Sequence, residues 1–168
     1  MNPLKNACLG ARVLRAVAVL LLLLPAHLSL AGEEREIAWR EAFVTVDVSL
    51  EPIEGHDGHA VGLMRQRGFA FYDDGDLATV NAWITFERSG TETRYRGYAV
   101  YRFPDGATKV GRFTGGGDPA GRQTGEFILG AGTGRYQGIA GSGTFVGQGF
   151  PPHGDIVLDV SGTYSIAK

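Results

Sequence analysis

Asp47 stands between Val46 and Val48 in the run FVTVDVSLE, a lone carboxylate among valines. Two readings are open for it. On the polar face with Thr45 and Ser49 it is a solvated surface charge. Turned into an apolar cavity, it would hold its proton more tightly and could serve as an acid or a base. Asn81 has the same two faces, either a surface or bulge residue or a hydrogen-bond donor to a ligand. Tyr95, Tyr98, Tyr101 and Tyr136 each combine an apolar body with one polar tip, which suits a ligand-binding pocket as well as a core. Glu126 reads most simply as a rim or outward residue.

Other chemistries have the right residue types but the wrong setting. His56-x-x-His59, with Glu54 and Asp57 beside it, has the composition of a metal site. Past residue 31, however, only His153 adds an imidazole and no cysteine occurs, whereas zinc sites take three or four protein ligands. No metal is expected, and the two histidines read as loop residues, or as a protonation switch over a cavity mouth. Ser142 lies between glycines without the strand-to-helix setting of a nucleophile elbow. The glycine-rich stretch GAGTGRYQGIAGSGTFVGQG fails as a dinucleotide loop. From Gly130 or Gly132, the third required glycine falls on Arg135 or Gln137. A Gly-Lys-Ser/Thr phosphate loop is absent too. Phe127, Ile128, Tyr136, Ile139, Phe145 and Val146 make the region too apolar for disorder. Folded sheet remains, with glycine at corners and close approaches.

The elements that must carry these residues are strands. Period-two alternation marks strands over 37–50, 61–72, 77–88, 93–103, 108–113, 123–129, 142–149 and 155–166. Asp73-Asp74-Gly75-Asp76, Ser89-Gly90 and Pro104-Asp105-Gly106 are turn sequences between them. No helical apolar period of any length follows the first 31 residues. The fold class expected is all-β: an eight-stranded antiparallel up-and-down β-barrel, with a β-sandwich as the alternative. Closure removes exposed edges, and a barrel of this strand number is either filled by side chains or holds one small ligand. An outer-membrane barrel is disfavoured by arginine on the strands, at 65, 67, 94, 96 and 102.

Residues 1–31 read as a secretory signal peptide. Lys5, Arg12 and Arg15 precede an apolar run from Ala16 to Leu24, and Ser29-Leu30-Ala31 offers small residues for cleavage. The run is too short for a bilayer span. Residues 32–168 then form a single domain, periplasmic or extracellular, without cysteine and without insertion into a membrane. Three of the 16 basic residues and none of the 18 acidic ones lie in the leader, so the domain carries a formal excess of five negative charges. That balance argues against nucleic acid as a partner. Assembly into a homo-oligomer is compatible with the sequence.

The segment GTGRYQGIAGSGTF and the final strand DIVLDVSGTYSI resemble the C-terminal half of the allene oxide cyclase and dirigent group. There a Gly-x-Gly-x-aromatic-x-Gly turn precedes the last two strands of an eight-stranded barrel. The matching residues here are Gly132, Gly134, Tyr136 and Gly138. YRGYAVYRFPDGATKVGRFTG resembles the central strand pair, so the likeness spans about residues 60–168. With the leader, the chain reads as a bacterial, exported member of that group. The resemblance implies a calycin-like barrel with an apolar lumen. It also implies a protein without cofactors that binds a reactive, mostly apolar small molecule and steers its cyclisation or coupling. In that group an acidic residue of the first strand faces the cavity, and Asp47 occupies a comparable place. The reading is thus a cofactor-free cyclase or isomerase, or alternatively a carrier or a structural or oligomerisation barrel of the cell envelope.

Overall fold

The computed structural model describes residues 32–150 and 154–167. The leader assigned to 1–31 and His153 therefore lie outside the described residues. Eight strands follow in chain order: β1 (Arg35–Pro52), β2 (His59–Tyr72), β3 (Leu77–Ser89), β4 (Glu92–Arg102), β5 (Thr108–Gly117), β6 (Arg122–Thr133), β7 (Ile139–Phe150) and β8 (Asp155–Ile166). Each pairs antiparallel with the next, and β8 returns to β1, closing the barrel. The up-and-down barrel is the observed fold, and the sandwich is ruled out by that closure. The described residues contain no α-helix, only a 3-10 turn at Gly134–Tyr136.

Alternation decides which side chains point inward. On β3, Ala78, Val80, Ala82 and Ile84 are buried while Thr79, Trp83 and Thr85 are exposed. On β4, Ala99 and Tyr101 are buried between exposed Arg96, Tyr98 and Arg102. The interior is one cluster of aromatic and aliphatic side chains, Trp39, Phe127, Leu129 and Val160 among them.

β1 departs from simple alternation. Thr45 pairs with Gln66 but Asp47 pairs with Arg65, so Val46 is an extra residue, a β-bulge. Upstream of it Trp39, Glu41 and Phe43 are buried. At the bulge the parity switches, and Asp47 is carried outward beside Arg65, exposed.

The glycines of β5 to β8 do what the sequence suggests. Gly143 and Gly162 face each other across the β7–β8 pair. A Cβ on Gly143 would lie 2.1 Å from the Ser161 carbonyl oxygen and 2.6 Å from the Gly162 Cα. Only glycine lets these strands coil so closely. At the β6–β7 turn, Gly134 and Gly138 have φ of 59° and 76°, a conformation that glycine adopts freely.

Candidate functional site

The barrel encloses a cavity of about 700 Å³ that opens at the end carrying the β3–β4 and β5–β6 turns, beside Arg88, Thr91, Pro119 and Phe150. Phe43, Ile84, Phe113, Phe145, Leu158 and Val160 make most of its wall apolar, with Gln66 and Gln123 among them. Its floor is formed by Trp39, Glu41, Tyr101 and Phe127.

Glu41 is the chemical centre of this lumen. It is 4% exposed and comes from the buried face of β1, two residues from Trp39 and two from Phe43. The Trp39 indole donates to its Oε1 at 2.5 Å and the Tyr101 hydroxyl donates to the same oxygen at 2.6 Å. No donor among the described residues reaches Oε2, which is left without a partner. Burial raises the Glu41 pKa above the ordinary carboxylate range, against the opposing pull of the two hydrogen bonds and of Lys109. With Oε1 already accepting twice, the protonated carboxyl carries its hydrogen on Oε2. The same two donors support the ionised form, so the group can release a proton and take it back.

Lys109 lies behind the floor. Its Nζ is wholly buried and has no hydrogen-bond partner among the described residues. Instead it sits 4.3 Å from the ring centres of both Trp39 and Tyr72 and 5.0 Å from that of Tyr101. Trp39 and Tyr101 therefore turn their polar tips to Glu41 and their ring faces to Lys109. Burial lowers the Lys109 pKa to about 7, with Glu41 acting in the opposite direction. The closed end is sealed by Arg135, which pairs with Asp76 at 2.6 Å and Asp105 at 3.2 Å and stacks on Phe103 and Tyr136.

The residues singled out in the sequence divide between the two sides of the wall. Tyr101 lines the lumen and holds Glu41. Tyr95 lines it too, packed on Phe113 and Phe145, with a buried hydroxyl that has no partner among the described residues. Burial raises its pKa, so it is a neutral donor. Tyr136 packs behind the floor, against Phe103, and does not line the cavity; burial pushes its pKa up to about 12. Asp47 is not the lumen carboxylate, because the Val46 bulge turns it outward. Tyr98 is 53% exposed on the outer face, and Asn81 is half-buried on that same outer face, between Arg67 and Val100. Neither reaches the lumen. Glu41 and Lys109 were missed, although Trp39-x-Glu41-x-Phe43 carries the signal: a carboxylate alternating with aromatics. The competing row of Val44, Val46, Val48 and Leu50 looks like the core face but is 56%, 41%, 55% and 40% exposed. His56 lies in the β1–β2 turn and His59 opens β2, and no cluster of three metal-ligating side chains occurs among the described residues.

The closed eight-stranded barrel thus leaves a cavity with the volume of a small molecule, and an acid stands at its floor. Among solved structures, the chain is similar to that of a pterocarpan synthase dirigent protein. The TM-score is 0.51 and the identity 16%, covering 82% of this chain and 93% of that one. The chain therefore has a dirigent-like barrel fold. No protein-family model matches it. No curated protein matches it either.

Proposed function

We propose that the protein binds a small, mostly apolar organic molecule in its lumen and steers its cyclisation or isomerisation without a cofactor. The observation that carries this reading is Glu41, a buried carboxyl that lines a largely apolar cavity and has one oxygen to which no donor among the described residues is bound. In the reaction Oε2–H gives its proton to an oxygen of the bound molecule, and the Trp39 and Tyr101 donors stabilise the carboxylate left behind. The ring closes or the double bond shifts, and the carboxylate recovers a proton from the carbon that loses one, so the molecule leaves with its formula unchanged. The walls supply the reactive conformation, and the Tyr95 hydroxyl offers a second anchor. The dirigent neighbour, a pterocarpan synthase by name, supports this reading through its fold alone.

The leader pattern over 1–31 supports an exported protein, periplasmic or extracellular. The exposed arginines of β2 and β4 support a barrel that stands in water and not in lipid. The second reading is a carrier, favoured by the apolar walls alone. Native mass spectrometry of the protein purified from cells, with and without gentle activation, tests the pair. A small organic molecule that leaves on activation is expected, and wild type should convert it or its precursor to an isomer where Glu41→Gln does not. A molecule bound equally by both and released unaltered would leave only carriage. A barrel taking up no apolar probe would remove both readings.

A further inference from the structure

The outer face of β2 to β5 carries six arginines, at 65, 67, 94, 96, 102 and 112, against Glu87 and Glu92 near one end. None of the six forms an ion pair among the described residues, unlike Arg35, Arg40 and Arg135. This concentration of cations stands on a domain with excess negative charge. At its centre Trp83 and Tyr98 lie side by side on neighbouring strands, 47% and 53% exposed. The register sets Arg65 beyond Trp83 and Arg112 beyond Tyr98, giving an Arg–Trp–Tyr–Arg row across the barrel. The row lies in an open groove of about 1170 Å³ that runs on past Ile128 on β6 and is bordered by Asp47 and Glu126. Successive positions are about 4.8 Å apart, the strand spacing, close to the length of one sugar ring along an extended polysaccharide.

We propose that this groove is a binding site for an acidic polysaccharide, a chain of sugar rings bearing carboxylates. Exposed indole and phenol rings stack on the apolar faces of sugar rings. Flanking guanidiniums take carboxylates in two-pronged hydrogen bonds, which a lysine could not match. Asp47, Glu126, Thr85 and Thr114 accept from sugar hydroxyls. Those two carboxylates also favour this occupant over single-stranded DNA, which has no sugar hydroxyls along its chain to donate to them. The groove lies outside the barrel, so the inference is independent of the reading of the lumen.

Oligogalacturonate and alginate oligomers, titrated into the protein purified from cells expressing the full chain, test the assignment by calorimetry. Neutral cello-oligosaccharides of matched length and oligothymidylate are the comparisons. At least one of the two uronate oligomers should bind, more weakly as salt rises, and about tenfold or more tighter than the neutral chain. Trp83→Ala and the pair Arg65→Ala with Arg112→Ala should each weaken it by about tenfold. Trp83→Phe should retain most of the affinity, and Glu41→Gln all of it. Failure of both uronates, or tighter binding of oligothymidylate, would overturn the assignment. So would an oligomer of this chain that Trp83→Ala converts to monomer, because the face would then belong to a second copy.

Discussion

At the scale of single residues, Glu41 and Lys109 are two buried ionisable groups sharing one pair of aromatic neighbours. If Glu41 exchanges the proton, Glu41→Gln should lower turnover by about a hundredfold or more, the usual worth of a positioned acid. Affinity for the lumen ligand should change far less, because glutamine keeps the shape and the acceptor for Trp39 and Tyr101. Equal losses in binding and turnover would make Glu41 a binding group only. Lys109 gives a prediction of a different kind. Its folded pKa, about 7, lies below its ordinary value of 10.5, so between these values the unfolded chain binds the extra proton. Stability should therefore rise with pH across that window, by at most about 1.4 kcal/mol per unit. Glu41 works in the opposite sense at lower pH. Its raised pKa favours the fold when protonated, and that stability is lost as pH climbs through the folded value. Denaturant titrations from acid to alkaline pH should show Lys109→Met flattening the alkaline limb and Glu41→Gln the acid limb. An unchanged alkaline limb in Lys109→Met would show that Lys109 does not titrate in this window.

At the scale of strands, the barrel was legible because turn residues and alternation divide the chain into eight intervals, and each is a strand. Ends were less legible: β5 runs through Gly115, Gly116 and Gly117, which read as loop because glycine is a poor strand former outside a tightly coiled sheet. The site was hidden by two physical facts. A single inserted residue, Val46, reverses which side chains of β1 face inward, and nothing in the local sequence distinguishes it from a regular strand valine. The outer face is also unusually apolar, with Leu63 61% and Phe71 51% exposed, so hydrophobicity alone does not tell inside from outside. Tyr95 and Tyr101 lie on the inward face of β4, while Tyr98 shares the outward face with Arg94, Arg96 and Arg102, so aromatic type alone does not separate them. Glu41 is masked by the more valine-rich half of its own strand. The glycines permit a direct check of the coiling argument. Gly143→Ala forces a methyl against the β8 backbone and should cost about 1–3 kcal/mol. Gly130→Ala, where a Cβ would meet nothing within 4 Å, should stay within about 1 kcal/mol of wild type. Similar losses in both variants would mean that glycine serves flexibility here and not close packing.

At the scale of the whole molecule, the barrel is a one-ended vessel with a separate outer surface. The Arg135 clamp across Asp76 and Asp105 shuts one end, while Arg88, Pro119 and Phe150 rim the other. Any ligand reaches Glu41 by travelling down the apolar lumen, so lumen volume, and not the outer groove, should govern what is accepted. Ala99 is the place to change it. It lines the cavity, is two residues from Tyr101 on β4, and has the small residues Ala82 and Gly111 beside it on the neighbouring strands. Ala99→Leu should take up part of the 700 Å³ without displacing backbone. Filling a cavity in this way is roughly neutral or stabilising, in contrast to overpacking a tight core. Affinity for lumen ligands should then fall, most for the bulkiest probes. Binding of uronate oligomers outside should be unaffected, as should the pH dependence set by Lys109 behind the floor. A variant that loses stability along with lumen binding would show that β4 is already packed against its neighbours at this level. A variant that loses uronate binding as well would show that the two surfaces are coupled through the wall, most directly through Tyr98, the outward neighbour of Ala99.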